Sequence, residues 1–467
     1  MQRRASAASL AIVLACALVA PRGAAAQAGR ECNVELAGVR SKGQVTTATT
    51  IIRQPSGRNN VWMGGGVDAV CAGTDQRLLS DSLEQYPDQS LVILIGHVHY
   101  LENRIKLDSD RLTYYTNEER IVVEGKVVGR TPAGTRFTAP RAEYLRPAVG
   151  IRPRSRLTAG SRAKVWLSPK DAGEAGKDTV ILNADRIISD NDSLVYAVGK
   201  VTIERPDLLA ESDSAFMDNG TEFMQLSVHP AITGVGERTF SLSGEFIDTW
   251  SRRKKLTRVL ARGTAKATSK EVTLASDSID LRLRGQKIDR AFAWGPTRAR
   301  AKSAEQDIVA DSIEIVMPEQ EVQEVRAVRK AFAQSPPDST KIIVTEPDWI
   351  RGDTIIARFE RIAAEPPDTG TRNAVREIVS SGTAKSYFQV AQSGAKKTPA
   401  VPNVNYVTGR VITLSFQQGK VRDVHVKDQA IGAYAEVKSD TARVPSDSTK
   451  KSTRKKPATP PPTPKQP

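Results

Sequence analysis

The sequence predicts an all-β protein, a long antiparallel sheet of bent strands folded over an apolar inner crease. Three observations predict it. Apolar residues alternate with polar ones at a spacing of two, the mark of half-buried strands. Two such half-patterns, one centred on an acid and one on a glycine, recur along most of the chain. Aromatic content is low, 5%, which suits units that each bury only an inner face better than one large globular core.

The chain opens on an export leader. Residues 1–26 read as a secretory signal: Arg3 and Arg4 form a basic start, and Ala5 to Ala20 an apolar run too short to span a membrane. Ala24-Ala25-Ala26 is a small-residue cleavage site. Cys16 follows Val13-Leu14-Ala15, where bulky Leu14 departs from a lipidation signal. The expected location is the periplasm, with an association to the outer membrane left open. Cleavage would leave Cys32 and Cys71. An even pair in an exported chain points to one disulfide, closing a loop of about 40 residues and worth roughly 3–4 kcal/mol on the chain-entropy model. Two buried free thiols are the alternative. Residues 27–72 show few periodic positions, so an irregular extension is expected there. Its Gly64-Gly65-Gly66 run is not a phosphate loop, since no Gly-Lys-Ser/Thr follows.

Residues 73–335 hold the repeats. The acid half-pattern is apolar at −5 and −3, small at −1, acidic at 0 and apolar at +2 and often +4. It begins weakly at Asp81 and is clear at Asp110, Asp185, Asp213, Asp277 and Asp311. Glu245 is a variant, Pro140 replaces the acid once, and Arg410 closes the series. Positions −3 and −1 lie on one phase and +2 and +4 on the other, yet both sets are apolar. A bulge or sharp bend at the small-acidic pair reconciles them. The glycine half-pattern is apolar at −4 and −2 and apolar or small at +2. It occurs at Gly96, Gly125, Gly199, Gly263, Gly295 and Gly382, and glycine inside a strand marks a tight bend or close backbone approach. The unit is therefore two bent strands in roughly 30 residues. Residues 336–435 hold further degenerate copies. Candidate breaks lie at 148–177, 336–341, 366–372 and 389–402, each rich in Pro, Gly, Ser or charge; the first three read as loops between strands, and the last divides two halves of the final degenerate copies.

The tail, within 436–467, is basic and then proline-rich, and is expected to be disordered. The leader carries three cations, and residues 446–467 carry six against one acid, so about half of the net charge of +15 is peripheral. Such charge attracts anionic headgroups or envelope polymers, or simply keeps the chain soluble. The export signal argues against nucleic acid as a partner.

The run IKLDSDRLTYYTNEERIVVEGKVV, then GTRFTAPRAEYL, resembles the OstA-like repeats of lipopolysaccharide-transport proteins (LptA, LptC and the periplasmic part of LptD). VTLASDSIDL and YVTGRVITLSF are similar in the same way. The resemblance covers most of residues 73–434. It implies an elongated antiparallel β-jellyroll, or β-taco, as one long array or two in tandem, whose interior holds lipid A acyl chains. It brings no catalytic residue and no cofactor.

Chemistry-bearing residues are sparse. One acid per repeat with the same neighbours each time reads as a structural device, since Asp tolerates bends and accepts backbone N–H bonds. A glycosidase would need two carboxylates facing one bond, and no pair stands out. His97 and His99 share a metal-compatible spacing, but no Cys or acid cluster accompanies them. No nucleophile elbow or Walker motif occurs. The expectation is a non-enzymatic carrier of lipopolysaccharide or a related glycolipid. Its groove would be lined by Ile121, Val123, Val127, Phe137, Leu182, Val201, Leu274, Ile279, Leu281, Ile308, Ile313 and Ile315. Edge strands would meet other lipopolysaccharide-transport proteins or further copies end to end. Two readings stand against it: a structural or adhesive β-solenoid with a filled core, and a carbohydrate-active enzyme on a β-helix.

Overall fold

A computed structural model describes residues 34–38, 48–148, 150–167, 179–191, 193–206, 208–235, 240–253, 255–285, 287–336, 342–343, 346–363, 371–390, 401–417 and 420–436. The expected leader, Cys32 and nearly all of the tail lie outside these residues. Within them the chain forms one antiparallel sheet of 26 strands. The first nine are β1 (Val34–Gly38), β2 (Ala48–Arg53), β3 (Asn59–Cys71), β4 (Arg77–Tyr86), β5 (Leu91–Leu101), β6 (Lys106–Tyr115), β7 (Arg120–Arg130), β8 (Thr135–Leu145) and β9 (Arg156–Leu167). Then come β10 (Val180–Asp190), β11 (Leu194–Glu204), β12 (Leu208–Asp218), β13 (Phe223–Ser227), β14 (Ala231–Gly234), β15 (Phe240–Ser243), β16 (Phe246–Arg252), β17 (Lys255–Ser269) and β18 (Thr273–Arg284). The last are β19 (Lys287–Lys302), β20 (Asp307–Val316), β21 (Glu324–Ser335), β22 (Asp348–Ala363), β23 (Thr371–Val390), β24 (Asn403–Gln417), β25 (Lys420–Lys427) and β26 (Ile431–Ala435).

Almost every long strand is bent near its middle into two arms. On β7 the first arm holds Ile121 and Val123 and the second holds Val127 and Gly129, all four buried. The ladder skips at the bend: Ile95 pairs with Arg111 and Val98 with Ser109, so Gly96 and His97 together oppose Asp110. In four places a long bent strand is flanked by two short strands, one for each arm. Thus β1 and β2 both pair with β3, β13 and β14 with β12, β15 and β16 with β17, and β25 and β26 with β24. Pairing continues from β21 to β22, so the array does not break near residue 336. The inner faces of both arms form one apolar cluster running from Met63 to Leu414.

The acids and glycines lock the bend. Gly125 has φ +79° and Lys126 +46°, a two-residue left-handed corner. A Cβ on Gly125 would lie 2.5 Å from Asp110 Oδ2. Five further acids sit in this way over the glycine of the next strand: Asp81 over Gly96, Asp185 over Gly199, Glu245 over Gly263, Asp277 over Gly295 and Asp353 over Gly382. The small residue before the acid works on the inner side. Ser80, Ser109 and Ser212 donate to the carbonyls of Ser82, Arg111 and Ser214, at 2.8, 3.1 and 3.0 Å, satisfying groups that the ladder skips.

Two sequence expectations are corrected. The described part of the extension at 27–72 is not irregular: β2 and β3 are strands, and Met63, Val67, Ala69 and Cys71 are core residues. They flank a Gly65–Gly66 corner at the same offsets as the glycine half-pattern, so the array starts before residue 73. The loop expected at 148–177 contains β9, where Leu157, Ala159, Ala163 and Val165 alternate about a corner made by Ser161 and Arg162, without glycine in the left-handed positions. Cys71 is buried and disulfide-bonded. Cys32, its expected partner, lies outside the described residues, though Val34 is paired opposite Cys71.

This interlock predicts an asymmetry between glycines. Gly134 is also left-handed, but a Cβ there would meet nothing within 4 Å. Gly134→Ala should cost about 1–2 kcal/mol from backbone strain alone. Gly125→Ala adds the collision with Asp110 and should lower the urea midpoint clearly further. Equal losses would mean that the carboxylate does not hold the corner.

Candidate functional site at the mouth of the folded sheet

The expected groove residues all lie inside. Ile121, Val123, Ile279, Leu281, Ile313 and Ile315 line the first arm, and Val127, Phe137, Leu182, Val201, Leu274 and Ile308 the second. None is more than 4% exposed. They pack against one another rather than around an open trough, so any access to the interior is through the mouth, where the tips of the two arms meet. The mouth differs between its two sections.

In the N-terminal section it is closed by a buried polar cluster. Glu102 sits in the turn after β5 at the second arm's tip, and Glu119 in the turn after β6 at the first arm's tip. Arg146, directly after β8, donates through Nε to Glu102 at 3.2 Å and through Nη1 to Glu119. Tyr100 donates to Glu102 at 2.8 Å and Tyr114 to Glu119 at 2.7 Å. With the Gln76 amide oriented so that both of its atoms are satisfied, its oxygen accepts from Arg146 at 2.8 and 3.1 Å and its nitrogen donates to Tyr100. Arg152 braces the cluster by donating to the Arg146 carbonyl at 2.9 Å. Burial, then the neighbouring carboxylates, push both tyrosine hydroxyls above their ordinary range. Burial pulls the Arg146 guanidinium down, but Tyr100, Glu102, Tyr114 and Glu119 outweigh it and hold it charged.

Further along, the mouth is apolar. Phe240, Ala267, Val272 and Leu274 of the second arm face Leu281, Ile288, Ala291, Ile315 and Met317 of the first across a void of about 40 Å³. Three of the expected groove residues, Leu274, Leu281 and Ile315, line this notch. The void has room for about one water, so nothing of acyl length fits until the arms part.

The outer crease carries charge without assembling a reactive centre. His97 contacts Asp81 at 2.8 Å, His99 contacts Asp108 at 2.7 Å and His229 contacts Asp213 at 3.3 Å. Among the described residues no group of three or more metal-ligating side chains gathers. The Asp81 hydrogen bond and charge raise the His97 pKa above its ordinary 6.5. Sequence reasoning missed Asp353, whose copy has Ile350, Gly352, Ile355 and Ala357 at the right offsets. It also missed the Gln76–Glu102–Glu119–Arg146 cluster, whose members lie in separate turns with no shared spacing. Compared with known proteins, the chain matches no family model and no curated sequence.

Two measurements test these assignments. Arg146→Met leaves Glu102 and Glu119, 6% and 8% exposed, as unpaired buried charges. It should cost about 3–5 kcal/mol, and adding Glu102→Gln and Glu119→Gln should recover much of that in thermal melts. For His97, the imidazolium is favoured in the fold. Its contribution is therefore complete below the ordinary value and lost as pH rises through the raised one. Histidine ring resonances should titrate late at His97 and return to normal in Asp81→Asn.

Proposed function

We propose that the chain is a periplasmic carrier or bridge for lipopolysaccharide or a related acylated glycolipid. One observation carries the reading: an apolar notch between the arm tips borders an apolar interior that extends along the sheet. A meander of bent strands in two arms is compatible with a β-taco, in which the arms would part at the mouth. Each acyl CH₂ removed from water gains roughly 0.8 kcal/mol, so several chains entering between the arms would offset the loss of arm-to-arm contact. The polar cluster at Arg146 keeps one section shut while the notch section opens. Repetition of the inner face supplies equivalent positions along which chains slide. The chain carries no nucleotide-binding motif, so the energy for directed movement would come from another protein.

The two ends suit assembly into a longer conduit. β2 exposes Ile51 and Ile52, and β26 exposes Ile431 and Tyr434. Among the described residues both edges are unpaired on their outer side, so another transport protein or a second copy can add strand to strand. The packed interior favours a second reading, an envelope β-solenoid without cargo, which predicts that no lipid co-purifies.

Photo-crosslinkers at Leu274, Ile313 and Ile315 should capture lipopolysaccharide, and those at Lys126 and Arg282 on the outer side should not. Native mass spectrometry of protein from its own envelope should find bound glycolipid. Equal labelling of the two sets, with no co-purified lipid, would sink the carrier reading in favour of the solenoid.

A further inference from the structure

The outer face of the second arm holds a concavity of about 570 Å³ over β21, β22 and β23. Arg298, Lys330, Arg351 and Lys385 line it against a single carboxylate, Asp353. Ala331 and Gly352, paired across the ladder, also border it. Arg351 and Lys385 stand directly opposite each other in the β22–β23 register. Like charges in that position destabilise a sheet, and concentrating them in a concave site focuses positive potential outward.

Of the four cations, only Arg298 has an acid partner among the described residues. Arg298 donates to the carbonyls of Val309, at 3.2 Å, and Lys330, and its Nε is 3.9 Å from Asp311. Arg351 lies 5.5 Å from the Trp349 ring centroid. Among the described residues no carboxylate lies within ion-pair distance of Lys330, Arg351 or Lys385. Asp353 is committed to the Gly382 corner. Among other corner cations, His97, Arg162 and His229 have an acid partner and Lys126 and Lys200 have none among the described residues, but none of those corners gathers four cations in one concavity. The Thr383 hydroxyl adds a neutral hydrogen-bonding group to the wall.

We infer that this concavity is a binding site for a phosphate-bearing ligand larger than orthophosphate, such as a diphosphate or a phosphorylated sugar headgroup. A ligand of this kind relieves the Arg351–Lys385 repulsion and accepts charge-assisted hydrogen bonds from several donors. The site faces away from the apolar interior, so it stands whether or not the interior takes lipid.

Calorimetry on the full chain with inorganic pyrophosphate at low salt tests the site. Saturable binding is expected, together with a ligand-induced rise in Tm. Arg351→Gln with Lys385→Gln should weaken binding by about tenfold or more, while Lys126→Gln with Lys200→Gln, at other corners, should not. The first double variant should melt no lower than the parent, since it removes a like-charge pair. Flotation with phosphatidylcholine vesicles containing phosphatidic acid separates the two sources of phosphate. Vesicle binding lost in Arg351→Gln/Lys385→Gln assigns a lipid headgroup, and pyrophosphate binding without vesicle binding assigns a soluble ligand. Absence of saturable pyrophosphate binding, equal loss in the two double variants, or binding of a single-stranded oligonucleotide alone would overturn the site.

Discussion

Everything in this molecule hangs on how a β-strand turns a corner without losing its ladder. Two left-handed residues on one strand oppose a single acid on its neighbour, and the acid fills the volume that a Cβ would take at the corner glycine. Left-handed backbone is costly for any residue with a Cβ, so a corner repeated this often is kept only where neighbouring strands over-determine it. Six corners are held by a carboxylate outside and, in several copies, by a serine hydroxyl inside. Stacked in register, the corners crease the whole sheet along one line. That crease brings two apolar faces together and creates the interior.

Once the crease is set, the mouth is where adjacent sections differ. The same architecture ends in a buried ionic cluster at Arg146 and in bare aliphatic tips at Leu274 and Ile315. A buried ionic cluster adds little net stability compared with apolar packing, but it is geometrically exacting. It therefore fixes the spacing and register of the two arms in its section. The aliphatic tips impose no such geometry, and separating them costs only contact area. A section that is latched beside one that is not gives the folded sheet a preferred place to open.

The outside is specialised too. At several corners of the crease, charges pair across neighbouring strands. Over β21 to β23 that pairing lapses, and cations face one another across the ladder. Interior and exterior thus differ in chemistry, an apolar face inside and a cationic patch outside, on one set of strands.

Much of this was legible in the chain. Period-two alternation, the switch of apolar phase at the small-acidic pair and the recurring glycines specified bent strands, and the buried set from Ile121 to Ile315 followed from that phase alone. These are local constraints: side chains in a strand alternate faces, and a left-handed corner favours glycine. Corners built from Ser161–Arg162 or Arg329–Lys330 escaped notice because the surrounding sheet, not residue preference, forces their conformation. Gly65 and its flanking Val61, Met63, Val67 and Ala69 fitted the pattern but were hidden beside an aperiodic neighbour. What only the tertiary structure decided is how the arms meet. Whether the interior is open or filled, and which turns reach across the mouth, depends on contacts between residues dozens of positions apart, such as Arg146 with Glu102. Such contacts leave no periodic trace, because folding over a crease brings together strand ends whose separation in sequence is set by loop lengths and not by any repeat.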